Sequence, residues 1–163
     1  MKRFSKIVAI LAMCFGLLAA SSNADVSNRD KKQIGLWVGI MDPFPSLLGI
    51  GIAYNAFDLM KFRAGYAKFG TSSASIQTIG GSADFFIPGW SFSPYAGIGA
   101  SYFTLSVLSY SASIVVPYVS FGLDWQFPIL PFMHLDIYLG YKVGFVKAGS
   151  YSKSYSLGVG AYF

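Results

Sequence analysis

The sequence predicts an all-β chain: an eight-stranded antiparallel up-and-down transmembrane β-barrel preceded by a cleaved signal peptide. Three observations carry this. The chain is strongly apolar, with a mean hydropathy of +0.52 and only 12% charged residues. Past its N-terminus, however, it has no run of the roughly 18 apolar residues that a spanning helix needs. From residue 33 onward, apolar residues alternate with polar or small ones at the strand period of two. A chain this apolar without spanning helices can satisfy its backbone in lipid by closing a sheet on itself.

Residues 1–24 read as a secretory signal. Lys2, Arg3 and Lys6 form a basic start, Ile7 to Ala20 an apolar core, and Ser22-Asn23-Ala24 a small-residue cleavage site ahead of Asp25. Cys14 is not a lipidation site, because Phe15, Gly16, Leu17 and Leu18 continue the apolar run beyond it. Cleavage removes the only cysteine, and with it any disulfide, thiol nucleophile or cysteine metal site in the mature domain, 25–163. It also removes three of the twelve basic residues, leaving nine against seven aspartates and no glutamate, a net charge of +2. That balance gives no support to a nucleic-acid partner.

After a polar stretch from Asp25 to Lys32, strand-like segments fall near 33–41, 47–57, 61–69, 75–86, 94–105, 114–126, 134–146 and 153–163. In the first, Ile34, Leu36, Val38 and Ile40 oppose Gly35, Trp37 and Gly39. The Asp42-Pro43-Phe44-Pro45 run then breaks the chain. Segments two and three are separated at Asn55 and Asp58, and three and four at Gly70-Thr71-Ser72-Ser73. Segments three and four are less regular, with Lys68 on the outward face and Gly80-Gly81 in mid-strand. Pro88-Gly89 leads into the fifth. In the sixth, Val115, Pro117, Val119, Phe121, Leu123 and Trp125 share one face, and Tyr118, Ser120, Gly122, Asp124 and Gln126 the other. Pro117 cannot donate to the ladder and marks a bulge or the top of its strand. Pro128 and Pro131 end the segment. In the seventh, Leu135, Ile137, Leu139, Tyr141, Val143 and Phe145 alternate with His134, Asp136, Tyr138, Gly140, Lys142 and Gly144. After Ala148-Gly149-Ser150, Tyr155, Leu157, Val159, Ala161 and Phe163 alternate with Ser154, Ser156, Gly158, Gly160 and Tyr162.

Membrane strands need about 9 to 11 tilted residues, and eight strands close around a lumen that side chains fill. Inward glycines leave room there for Trp37, Tyr118 and Tyr138. The inward charges form an expected interior network, in which Arg63 and Lys142 pair with Asp84, Asp124 and Asp136. Phe57, Phe85, Phe86, Trp90, Phe92, Tyr95, Trp125, Phe127 and Phe132 lie near segment ends, where interfacial girdles sit. A soluble lipocalin-like barrel would need polar outer faces, and the outer rows here are Leu, Ile, Val and Phe.

The chain ends in Phe163, and Ser156, Gly158, Ala161 and Phe163 follow a polar–glycine–apolar–aromatic spacing. This resembles the assembly signal of bacterial outer-membrane barrels. Across the mature domain the chain resembles the small eight-stranded group typified by OmpX, OmpW and the OmpA membrane domain. That resemblance implies a place in the bacterial outer membrane and periplasmic termini. It also implies outward loops after strands one, three, five and seven, which are short here. The partners it implies are outer-membrane lipid and lipopolysaccharide, with periplasmic chaperones and the barrel-assembly machinery during biogenesis.

No catalytic, cofactor or metal residue is assigned. His134 is the only histidine, and Asp136 shares its face at a spacing that permits an acid–base pair. The preferred reading is an inward polar residue near a periplasmic turn. Barrel enzymes that modify lipid A place their histidine and serine at the other end. No Gly-x-Ser-x-Gly elbow occurs, and the serines at 71–75, 106–113 and 150–156 read as loop composition. Lys68, Lys147 and Lys153 map to the outer end, where they could meet lipopolysaccharide phosphates; the preferred reading is solvated loop lysines that aid solubility. The expected function is a non-enzymatic structural or interaction barrel of the envelope. A narrow channel for small or hydrophobic solutes is the first alternative and a lipid-modifying enzyme the second. Closure leaves no sheet edge that demands a neighbour, so a monomer is expected.

Overall fold

The period-two pattern becomes eight strands in a computed structural model of the chain, which describes residues 33–45, 48–56, 59–71, 73–147 and 150–163. The expected signal at 1–24 lies outside the described residues. The strands are β1 (Ile34–Ile40), β2 (Leu48–Ala56), β3 (Met60–Gly70), β4 (Ala74–Phe86), β5 (Phe92–Val107), β6 (Tyr110–Leu130), β7 (Met133–Lys147) and β8 (Ser150–Tyr162). Each pairs antiparallel with its sequence neighbour, and β1 pairs with β8, so the sheet is a closed barrel.

The register defines the stagger. A row of paired residues leaves Ile34 and passes through Tyr54, Phe62, Ala83, Ile98, Val119 and Val143 to Lys153 on β8. Ile34 itself accepts a hydrogen bond from the Phe163 amide, at 2.8 Å. One circuit therefore climbs β8 from residue 163 to residue 153, a stagger of ten. For eight strands this corresponds to a tilt of roughly 40°.

β5, β6 and β8 extend beyond the bounds that the sequence pattern predicts. The serine-rich stretch at 106–113, expected as loop, is largely ladder, with Ser106 opposite Ser111 and Thr104 opposite Ser113. Their hydroxyls lie 3.3 and 3.0 Å apart, a cross-strand hydroxyl pairing that favours strand. Ser150 to Ser156 likewise belong to β8. The turn between β5 and β6 is only Leu108-Ser109, and Leu108 has a φ of 53°. That left-handed backbone is unfavourable for leucine but tolerated by asparagine, whose short polar side chain hydrogen-bonds locally, so Leu108→Asn is expected to stabilise the barrel by about 1 kcal/mol, read as a higher urea midpoint for folding into vesicles. Pro117 marks no bulge. Its register with Ala100 is unbroken, and it immediately precedes Tyr118, where the β6–β7 ladder begins. The register shifts lie instead at Pro128/Leu130 and Phe145/Lys147.

The barrel is apolar outside and polar inside. Leu36, Ile50, Ile52, Ile98, Phe121 and Leu139 are among the exposed residues on the outer face, while Asp84, Asp124, Lys61 and Lys142 are buried within. Outer aromatics gather near the terminal end, where Phe92, Trp125 and Phe127 have successive ring centroids 6.3 and 4.7 Å apart. A second row, Phe121–Tyr141–Tyr155, has successive spacings of 5.2 Å. Two residues expected in the girdle are not there. Phe86 and Tyr95 are buried in the lumen, 5.7 Å apart, because strand alternation turns Phe86 inward when Phe85 faces out. Phe57 lies outside the described residues.

Candidate functional site

The lumen is filled in stacked layers. Nearest the chain termini, Lys61 on β3 donates to Asp124 on β6 at 2.6 Å and to Asp136 on β7 at 2.7 Å. The Lys61 ammonium also lies about 5 Å from the Phe86 and Tyr162 ring centroids. Asn55 donates to Gln126 in the same region, at 3.3 Å. Above this layer, Nε and Nη2 of Arg63 donate to Asp84 Oδ2 at 2.8 and 2.6 Å. Ser120 donates to the other Asp84 oxygen at 3.2 Å. The Arg63 guanidinium is 4.1 Å from the Tyr138 ring centroid, a desolvated cation–π contact.

The layer farthest from the termini is closed by the segment between β1 and β2. Met41 turns with a φ of 55°, and Asp42, Pro43 and Phe44 are all buried. Asp42 forms an ion pair with Lys142 Nζ at 2.7 Å, accepts from the Tyr138 hydroxyl at 2.9 Å, and lies 3.4 Å from Arg63 Nη1. Phe44 is fully buried beside Val116 and Tyr118, its ring 5.6 Å from that of Tyr118. The glycines make room for this filling. A β-carbon on Gly158 would collide with the Tyr138 ring, and one on Gly144 with the Phe44 ring.

All five residues expected in the interior network, Arg63, Asp84, Asp124, Asp136 and Lys142, are buried in the lumen. Of the expected pairings, Arg63 with Asp84 is present. The other three partners differ: Lys142 pairs with Asp42, and Asp124 and Asp136 share Lys61. The reason is geometric, since the stagger sets Lys142 high in the barrel, well above both aspartates. Lys61 shares the strand parity of Arg63, and that parity was the available signal. Asp42 lies in a proline-broken turn where no periodicity points inward.

His134 is buried on β7, opposite Tyr162 in the register. Asp136, whose spacing permits an acid–base pair with His134, is engaged by Lys61. Among the described residues, no group of three or more His, Cys, Asp or Glu side chains could hold a metal ion. Of the residues expected to form an assembly signal, Ser156 and Gly158 face the lumen, while Ala161 and Phe163 face outward. Lys68 and Lys153 are exposed on the outer face of β3 and β8. Lys147 lies at the far end of β7, and its side chain is outside the described residues.

No protein-family model and no curated protein matches the chain. Solved structures resemble its fold. The N-terminal β-barrel domain of Pseudomonas aeruginosa OprF aligns at 12% identity and a TM-score of 0.49, covering 81% of this chain and 98% of that one. A major outer membrane protein from Thermus thermophilus aligns at 13% and 0.49, covering 80% and 98%. The de novo designed TMB2.3 aligns at 19% and 0.40, covering 81% and 93%. None reaches a TM-score of 0.5, and the fold stands on this chain's own strand order and polarity. The protein is a closed eight-stranded antiparallel barrel with an apolar exterior and a charge-paired, plugged lumen.

Proposed function

We propose that the protein is a non-enzymatic barrel embedded in the bacterial outer membrane, with a structural or interaction role in the envelope and no open pore. The observation that carries this reading is the inverted polarity. Rows of exposed Leu, Ile, Val and aromatic side chains surround a lumen whose charges are paired and buried. A soluble barrel would leave those rows in water, whereas in lipid they replace hydrocarbon contacts at no cost. The Asp42–Phe44 plug and the Lys61 layer block the path through the lumen, which favours a closed barrel over the solute-channel alternative. Lipid modification would need a reactive group open to lipid, and His134 is buried among strand residues at the terminal end.

The test combines outer-membrane fractionation with gel mobility and conductance. The mature protein should fractionate with outer membranes, shift mobility on boiling in SDS, and leave planar bilayers silent. A single mobility from the soluble periplasm would overturn the membrane assignment. Steady conductance would overturn the closed state and leave the channel alternative. A substitution separates lipid from water as the outer solvent. Ile52 is 59% exposed on the outer face of β2. Ile52→Arg should cost about 2–4 kcal/mol in vesicle folding titrations if that face meets the bilayer middle, and almost nothing if it meets water.

A further inference from the structure

Charge is distributed unevenly between the two faces of the wall. Among the described residues whose side chains are placed, every Asp is buried in the lumen, and Lys68 and Lys153 are the only charged side chains on the outer surface. An apolar exterior that, among these residues, carries two cations and no anion is complementary to an anionic lipid.

The register sets these two lysines at one height. Leu157 on β8 pairs with Ile40, and Ile40 with Leu48 on β2. In the next ladder Ile50 pairs with Tyr66, two residues below Lys68. Lys153 is four residues above Leu157 along β8. The stagger lifts a paired row by roughly four residues over the three steps from β8 to β3, so Lys68 and Lys153 stand level. Between them the wall dips, because β1 stops at Ile40, β2 starts at Leu48, and the connecting chain turns into the lumen at Asp42.

Below the dip, on the same four strands, the outer wall is hollow. Small outward side chains at Ala64 and Ala161 leave an apolar depression of about 830 Å³, bordered by Val38, Ile50 and Tyr66. That is the size of a small-molecule ligand site, roughly 300–1,000 Å³. The lysine stems can lie along the wall with their ammonium groups at the headgroup level. Lys153 is held against the Tyr151 ring, 4.9 Å from its centroid.

We infer that the outer wall of β8, β1, β2 and β3 is a site for one lipid, the phosphorylated and multiply acylated lipid A of the outer leaflet. Lys68 and Lys153 take its phosphates across the dip, and an acyl chain lies in the hollow around Ala64. The inference rests on the membrane reading above, with the termini on the periplasmic side.

The test uses purified mature barrel in detergent, immobilised and exposed to diphosphoryl lipid A in mixed micelles at low salt. Wild type should retain the lipid, and 1 M salt should release much of it. Lys68→Gln/Lys153→Gln should lower retention about tenfold. Ala64→Trp, which fills the hollow from outside the fold, should also lower it. Each variant is run in SDS with and without boiling, so that a lost heat shift reports failure of the barrel or of the membrane reading itself. Wild-type retention unchanged in the double-glutamine variant, with the heat shift intact, would overturn the site alone. Equal retention of phosphatidylglycerol or of dephosphorylated lipid A would also overturn the assignment to lipid A phosphate.

Discussion

Replacing Asp42 with alanine is expected to open the barrel and to cost more stability than any other change in the segment between β1 and β2. Asp42 is buried and anchors that segment through Lys142, Arg63 and the Tyr138 hydroxyl. Its removal leaves Lys142 buried over the Tyr118 ring without the carboxylate it faces, while Arg63 keeps Asp84. Breaking one side of a buried ion pair typically costs about 3–5 kcal/mol, and here the same group tethers the plug. The expected readout has two parts: a lowered urea midpoint in vesicles, and discrete conductance events in planar bilayers where the wild type is silent. Asp42→Ala/Phe44→Ala should conduct more often, since Phe44 is the remaining apolar anchor beside Val116 and Tyr118. If both variants stay electrically silent while folded, the obstruction lies in the Lys61 layer.

The second large effect is expected at Lys61. Its ammonium is shared by Asp124 and Asp136 at 2.6 and 2.7 Å, with all three side chains buried. Lys61→Met leaves two carboxylates facing each other out of water, and a loss of about 3–5 kcal/mol is expected. The triple variant Lys61→Met/Asp124→Asn/Asp136→Asn removes every charge of the layer together. Because a buried ion triad is often replaceable by neutral groups at little cost, it should recover most of that loss. Equilibrium urea titrations in vesicles of fixed composition check both. Equal loss in the single and triple variants would show that packing around Lys61, and not its charge, holds the layer.

The legible part of this fold is local in origin. Alternation places Trp37, Tyr118, Tyr138 and the five network residues on inward faces without reference to any partner strand, because side-chain direction reverses at each residue. The same rule could have placed Lys61 inside, two residues before Arg63. It also shows why an expected girdle that includes both Phe85 and Phe86 is self-contradictory. Serine-rich stretches were harder to read, since serine suits turns and cross-strand hydroxyl pairs alike. The ladder between β5 and β6 becomes evident only when Thr104 meets Ser113.

By itself, the sequence determined the strand period, the number of strands, which face of each is apolar, and hence a barrel with its apolar rows outside. These are properties of each segment alone and of the need to pair every backbone group. Tertiary structure decided which charges meet, that Asp42 and Phe44 enter the lumen, and that Lys68 and Lys153 stand level above one hollow. Those depend on the ten-residue stagger, which is a property of ring closure. No single strand carries that number, so residues far apart in the chain acquire partners only once the last strand meets the first.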